Sequence, residues 1–136
     1  MLDFHAYFLP LNQGIYSLKE RWETTQIGRL IESYTQDNFP SLDSVEIAIF
    51  NIKEYEGSKN LASEDNCKIR DALYRLHFDS IPRVVDLGEL ALMPTRKESF
   101  RIIEEVCVYL FNKGILPFII GGGKPAYLDI AFLLFL

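Results

Sequence analysis

The sequence predicts an α/β fold: a parallel sheet with helices on both faces, in three layers. Three observations point there. The runs Val45–Ile52, Arg83–Leu87 and Leu116–Ile120 are short, apolar and rich in β-branched residues, like strands buried on both faces. Stretches of helical length, with apolar residues at three- and four-residue spacing, separate them. The third run breaks into Gly121-Gly122-Gly123-Lys124-Pro125, a turn at the carboxyl end of a strand, where α/β proteins place their chemistry. Strands joined through helices take right-handed crossovers and therefore run parallel.

Along the chain, Met1 to Gly14 mixes aromatics with Pro10 and Gly14 and reads as an extended arm or short edge strand. Leu18, Trp22, Ile27, Leu30, Ile31 and Tyr34 recur mostly at helical spacing and predict a helix from Leu18 to Tyr34. Gly28 weakens it by about 1 kcal/mol relative to Ala. Asp37-Asn38-Phe39-Pro40-Ser41 is a turn, and Val45–Ile52, apolar but for Glu46 and Asn51, is the first core strand. A polar loop then enters a helix that buries Ile69, Ala72, Leu73 and Leu76, with Ser63, Asp65 and Asn66 as rival N-caps.

Arg83–Leu87 is a short strand closed by Gly88. The strongest helix follows, striped by Phe100, Ile103, Val106, Cys107, Leu110 and Phe111 and stopped by Asn112, Lys113 and a left-handed Gly114. Leu116–Ile120 is the third core strand. Residues 1–42 are thus an arm and helix, and residues 43–136 the βαβαβα core of one domain. The closing run Ala131–Leu136 is apolar throughout but far short of the roughly 20 residues that span a bilayer. It predicts a helix cut off before its fold is complete, one that docks on the remainder of a longer chain or on a second copy through Tyr127–Leu136.

Composition narrows the function classes. A chain of 136 residues, 49% hydrophobic and 24% charged, has the makeup of a globular domain with a proper core. The net charge of −5 without a basic block argues against nucleic acid as a partner. Cys67 and Cys107 lack a CxxC spacing and read as reduced helix cysteines, while His5 and His77 are too few for a zinc site. With no signal peptide and no membrane span in view, the expected location is the cytoplasm.

Gly123-Lys124 invites comparison with a phosphate-binding P-loop, which needs a glycine five positions before the pair and Ser or Thr after it. Phe118 and Pro125 stand there instead. Ala126 likewise breaks the GxGxxG pattern. What remains is a substrate- or anion-binding turn formed by Gly121, Gly122, Gly123 and Lys124, against the alternative of a tight structural turn. Asp86 and Glu89, at the end of the second strand, have the spacing of an acid/base pair or a hard-cation site, or of strand-end caps.

Four stretches in order carry a resemblance: Val45-Glu46-Ile47-Ala48-Ile49, Ile69-Arg70-Asp71-Ala72-Leu73, Val84-Val85-Asp86-Leu87-Gly88-Glu89 and Leu116-Pro117-Phe118-Ile119-Ile120-Gly121-Gly122-Gly123-Lys124. Together they resemble the N-terminal part of the ureohydrolases, the family of arginase, agmatinase and formimidoylglutamase. In that family an Ile-Arg-x-x-Leu helix is followed by a strand ending Asp-Leu-Gly-Asp. A later strand ends Leu-Pro-x-x-Ile-Gly-Gly-Asp-His. The resemblance implies a three-layer enzyme that uses two manganese ions to hydrolyse a guanidino or formimino carbon–nitrogen bond.

Carried over by position, Gly121 and Gly122 match, Gly123 replaces the aspartate and Lys124 replaces the first ligand histidine. An ammonium is a poor ligand for a hard dication. The family's other ligands, from Asp-x-His-x-Asp and Asp-x-Asp segments, would lie beyond Leu136. The expectation is therefore a ureohydrolase-like fold with a small-molecule substrate class, incomplete as a catalyst in this chain. No catalytic residue, metal ligand or cofactor is expected within it. The alternative is a non-catalytic interaction module that keeps the same fold.

Overall fold

The structure, a computed structural model, describes residues 4–11, 19–35, 38–52, 61–80, 82–91 and 95–121. Among these residues, five strands form one sheet: β1 (Phe8–Leu9), β2 (Glu32–Ser33), β3 (Ile47–Ile52), β4 (Val84–Leu90) and β5 (Leu116–Gly121). The α-helices are α1 (Ile27–Leu30), α2 (Leu61–Tyr74) and α3 (Arg96–Asn112), with 3-10 turns at Phe4–Tyr7 and Lys19–Arg21. The protein is thus α/β, and no helix among the described residues is long and apolar enough to cross a membrane.

β3 lies between β4 and β5 and runs parallel to both, the pairing expected of three core strands linked through helices. The sheet as a whole is mixed, however, which corrects the expectation of a purely parallel one. The N-terminal arm supplies β1, antiparallel to β4, while β2 pairs with β4 in parallel. Both short strands satisfy the outer edge of β4, Ser33 opposite Asp86 and Phe8 opposite Leu90. The arm needs Gly88 to sit there. Its φ is +85°, and a Cβ at that position would stand 2.2 Å from the Leu9 carbonyl oxygen.

The helix expected from Leu18 to Tyr34 does not form over its described part. A 3-10 turn, the single turn of α1 and strand β2 take its place. The physical reason is Trp22. Its indole packs against Gly28, where an added Cβ would fall 2.5 Å from the ring. Residues six apart in a continuous helix lie about 120° apart around the axis and could not make that contact. Lys19 Nζ donates to the carbonyls of Gly28 and Ile31, capping the broken segment. Burial holds this ammonium below the usual lysine range.

Helix α2 begins at Leu61, so Ser63, Asp65 and Asn66 lie within it and do not cap it. Its buried face also differs from the apolar one expected. Ile69 is about half exposed, at 49%, and Leu76 lies past the helix's end, while Leu73 packs against the core and Arg70 and Tyr74 are buried. Helix α3 follows its pattern closely. Thr95 Oγ1 accepts from the Glu98 N–H at 3.2 Å, the stripe Ile103, Val106, Cys107 and Leu110 is buried, and Gly114 ends the helix at φ +74°.

Alternate residues of β3 go to two separate cores. Ala48, Phe50 and Ile52 join Val85, Leu87, Leu90 and the stripe of α3. Ile49 joins Trp22, Ile27, Ile31, Tyr74, Val84 and Ile120, with Ile47 packed against them. Trp22 is therefore a core residue, as its spacing suggested.

Candidate functional site

Asp86 follows Val84 and Val85 in a strand whose neighbours are all buried, so its charge must find partners inside the protein. The structure places it in the middle of β4, not at the strand's end, and completely buried. Its partner is Arg70 of α2. Arg70 Nε donates to Asp86 Oδ2 at 2.8 Å and Nη2 to Oδ1 at 3.2 Å, a two-toothed guanidinium–carboxylate pair.

The same guanidinium reaches two more groups. Nη1 donates to Asn51 Oδ1 on β3 at 3.0 Å, and Nη2 to the Gly88 carbonyl at 3.3 Å. Asp86 in turn accepts from the Tyr74 hydroxyl at 2.6 Å and from the Gly88 N–H at 3.0 Å. Ser33 Oγ on β2 lies 2.7 Å from the Tyr74 hydroxyl. One helix is thereby tied to three strands. Burial, and then the negative charge of Asp86, hold the Tyr74 phenol well above the usual tyrosine range, so it stays a proton donor in this network.

The network sits under the carboxyl end of the parallel strands. Ile49 pairs with Asp86, but Asn51 pairs with Glu89, so β4 carries one extra residue against β3. This bulge at Gly88 shifts the alternation, and Leu90 continues the apolar series of Val85 and Leu87. Glu89, half-buried, becomes the register neighbour of Asn51. On the other side of β3, Asn51 pairs with Ile120 and Ile52 with Gly121.

Of the sequence candidates, Glu89 and Gly121 are thus brought to the carboxyl end of the sheet, while Asp86 lies mid-strand, level with Ile49 and Phe118. Gly122, Gly123 and Lys124 lie outside the described residues, as does Tyr127–Leu136, and the segments 53–60 and 92–94 after β3 and β4 do too. Asp86 and Glu89 do not make an acid/base pair, because both Asp86 oxygens are committed to Arg70, Tyr74 and Gly88. His5 and His77 are exposed and bonded to Tyr34 Oη at 3.0 Å and Thr25 Oγ1 at 2.6 Å, in surface roles. Cys107 is a buried thiol, pushed by burial from 9.0 to about 12 and so held in its unreactive form.

Arg70, Tyr74, Asn51 and Ser33 were not recognisable as a site from spacing alone. The available signal was the polar residues Asn51 and Asp86 inside strands otherwise apolar on both faces. Comparison with protein-family models, with curated proteins and with solved structures gives no match.

Proposed function

We propose that this chain is the N-terminal portion of a three-layer, ureohydrolase-like domain whose parent activity is hydrolysis of a guanidino or formimino carbon–nitrogen bond, and that the chain itself is not a catalyst. One observation carries the reading. The Ile69-Arg70 and Asp86-Leu87-Gly88 stretches, which carry the resemblance from separate parts of the sequence, meet through the Arg70–Asp86 pair. The strand that leads into the glycine turn ends beside β3 at the same edge.

The positions that the resemblance gives as manganese ligands lie outside the described residues, and the hard-cation candidate among those described, Asp86, is committed to other partners. Asp86 has no lone pair to spare and lies 2.8 Å from a guanidinium, which would repel a dication. Among the described residues, no three His, Cys, Asp or Glu side chains group as metal ligands. In the family's first ligand position the sequence carries Lys124. What these residues do is fix α2 on β2, β3 and β4.

The deciding experiment is to read the encoding gene past the codon for Leu136. In-frame Asp-x-His-x-Asp and Asp-x-Asp segments would support the reading, and metal analysis of the whole protein would follow. A stop codon, or a continuation without those carboxylates, would overturn it. The second reading, an interaction module on the same fold, is favoured by Leu116 and Phe118, large apolar residues of β5 that are 53% and 45% exposed. Under that reading a thermal-shift series with manganese, phosphate and nucleotides gives no stabilisation, whereas a ligand at 100 times its Kd raises stability by about 2.7 kcal/mol.

A further inference from the structure

The carboxyl edge carries two polar groups that the buried network leaves unused. Helix α2 joins β3 to β4 and packs on one face of the sheet, while α3 joins β4 to β5 and packs on the other, so the chain reverses direction between β3 and β5. In open α/β sheets ligands bind at such a switch point, outside the carboxyl ends of the strands. Asn51 borders it, and the bulge at Gly88 turns Glu89 to the same face. At this level the register sets Leu9, Glu89, Asn51 and Ile120 in one row across the sheet, on the side of α2.

Two members of that row have bonding capacity to spare. Asn51 is only 5% exposed, and its Oδ1 accepts from Arg70 Nη1 at 3.0 Å, which leaves Nδ2 as a donor without a partner among the described residues. The half-buried Glu89 carboxylate has neither a hydrogen bond nor an ion pair among them. Adjacent strands lie about 4.8 Å apart, yet these neighbours do not bond each other. A donor and an acceptor therefore stand side by side, both unsatisfied.

We propose that Asn51 and Glu89 bind the head of a small α-ammonium carbonyl compound, such as an amino-acid amide. The ammonium donates to the Glu89 carboxylate, the carbonyl oxygen accepts from Asn51 Nδ2, and Leu9, 46% exposed, is the apolar wall beside them. Charge selects the cation: Arg70 and Asp86 neutralise each other, and Glu89 remains. Its partial burial screens the attraction less than a surface position would. Arg70 already fixes the Asn51 amide, so the donor is oriented before a ligand arrives. The proposal does not rest on the ureohydrolase reading, since it uses neither a metal nor the glycine turn.

The probe is glycinamide, titrated into the whole chain and followed by amide chemical shifts. Propionamide, of the same shape without the charge, and isobutylammonium, which keeps the charge without the carbonyl, are the comparisons. The expected result is saturable shifts at Leu9, Asn51 and Glu89 with a Kd below about 10 mM. Propionamide should bind about tenfold more weakly, the loss of one charge-assisted hydrogen bond, and isobutylammonium about twofold to tenfold more weakly. Glu89→Gln should weaken glycinamide binding about tenfold and leave the urea midpoint unchanged or raised, because the carboxylate gives up no partner in the fold. Equal binding of propionamide, shifts centred elsewhere, unchanged affinity in Glu89→Gln, or a lowered midpoint in that variant would each overturn the proposal.

Discussion

The two cores that share β3 are held by different physics. The one against α3 is apolar, filled by Phe50, Val85, Leu87, Val106 and Leu110, and its contacts are numerous and non-directional. The one against α2 contains an ion pair and a tyrosine whose partners are fixed in number and geometry. An apolar core tolerates replacement by anything of similar volume, whereas a buried charge tolerates only its own partner. The first core thus supplies stability in bulk. The second specifies how α2 sits on β2, β3 and β4, and so where the carboxyl edge lies.

The sharpest way to break this contrast is Arg70→Met, which leaves Asp86 charged and buried without its partner. It should cost about 3 to 5 kcal/mol, measured as a fall in the urea midpoint. Adding Asp86→Leu should recover much of that loss, because removing both charges is close to neutral. A double variant no better than Arg70→Met would show that the pair contributes through shape and not charge. In the other core, Leu110→Ala should cost about 2 to 5 kcal/mol. Leu110→Met should cost under about 1.5 kcal/mol, a conservative rescue that the Arg70 site would refuse to lysine.

Tyr74→Phe should cost about 1 to 3 kcal/mol at neutral pH, since Asp86 and Ser33 each lose a partner. It should also alter the alkaline limb of the stability curve. Tyr74 stays protonated in the folded chain above its ordinary value of about 10, so its contribution is intact below that pH and is lost as pH rises through the folded value. Cys107, pushed up to about 12, loses its contribution over the window from 9.0 to that value in the same sense. Urea titrations at pH 8 to 11 should therefore show falling stability in the parent and a shallower fall in Tyr74→Phe. An unchanged slope would remove Tyr74 from the account. The smallest effect expected is Thr95→Ala, which removes the N-cap of α3 at a cost of about 1 kcal/mol without touching either core.

How much was legible in the sequence varies with the kind of signal. Helix α3 was readable along its stripe and at its C-terminal end, because apolar spacing and a left-handed glycine act within the local chain, whereas its Thr95 cap came from the structure. The three core strands were readable from their runs of β-branched residues. The segment from Leu18 to Tyr34 was misread, because its helical spacing is real and is overridden by the contact of Trp22 with Gly28. Helix α2 was given the wrong face for a related reason. Its apolar residue Ile69 lost the sheet to Arg70 and Tyr74, since the sheet offered these two a buried carboxylate, and Leu76 fell past the helix's end.

The sequence by itself determined the α/β class, the central strands, the long helix and the presence of polar residues in strands that should be apolar. These follow from periodicity and from local backbone preferences, which need no partner distant in the chain. Only the tertiary structure decided that the N-terminal arm makes the sheet mixed, that Asp86 faces Arg70 and Tyr74, and that a bulge at Gly88 turns Glu89 beside Asn51. Each of these depends on which distant group stands within hydrogen-bond reach, and the strength of a buried charge is set by that distance and by the absence of water around it.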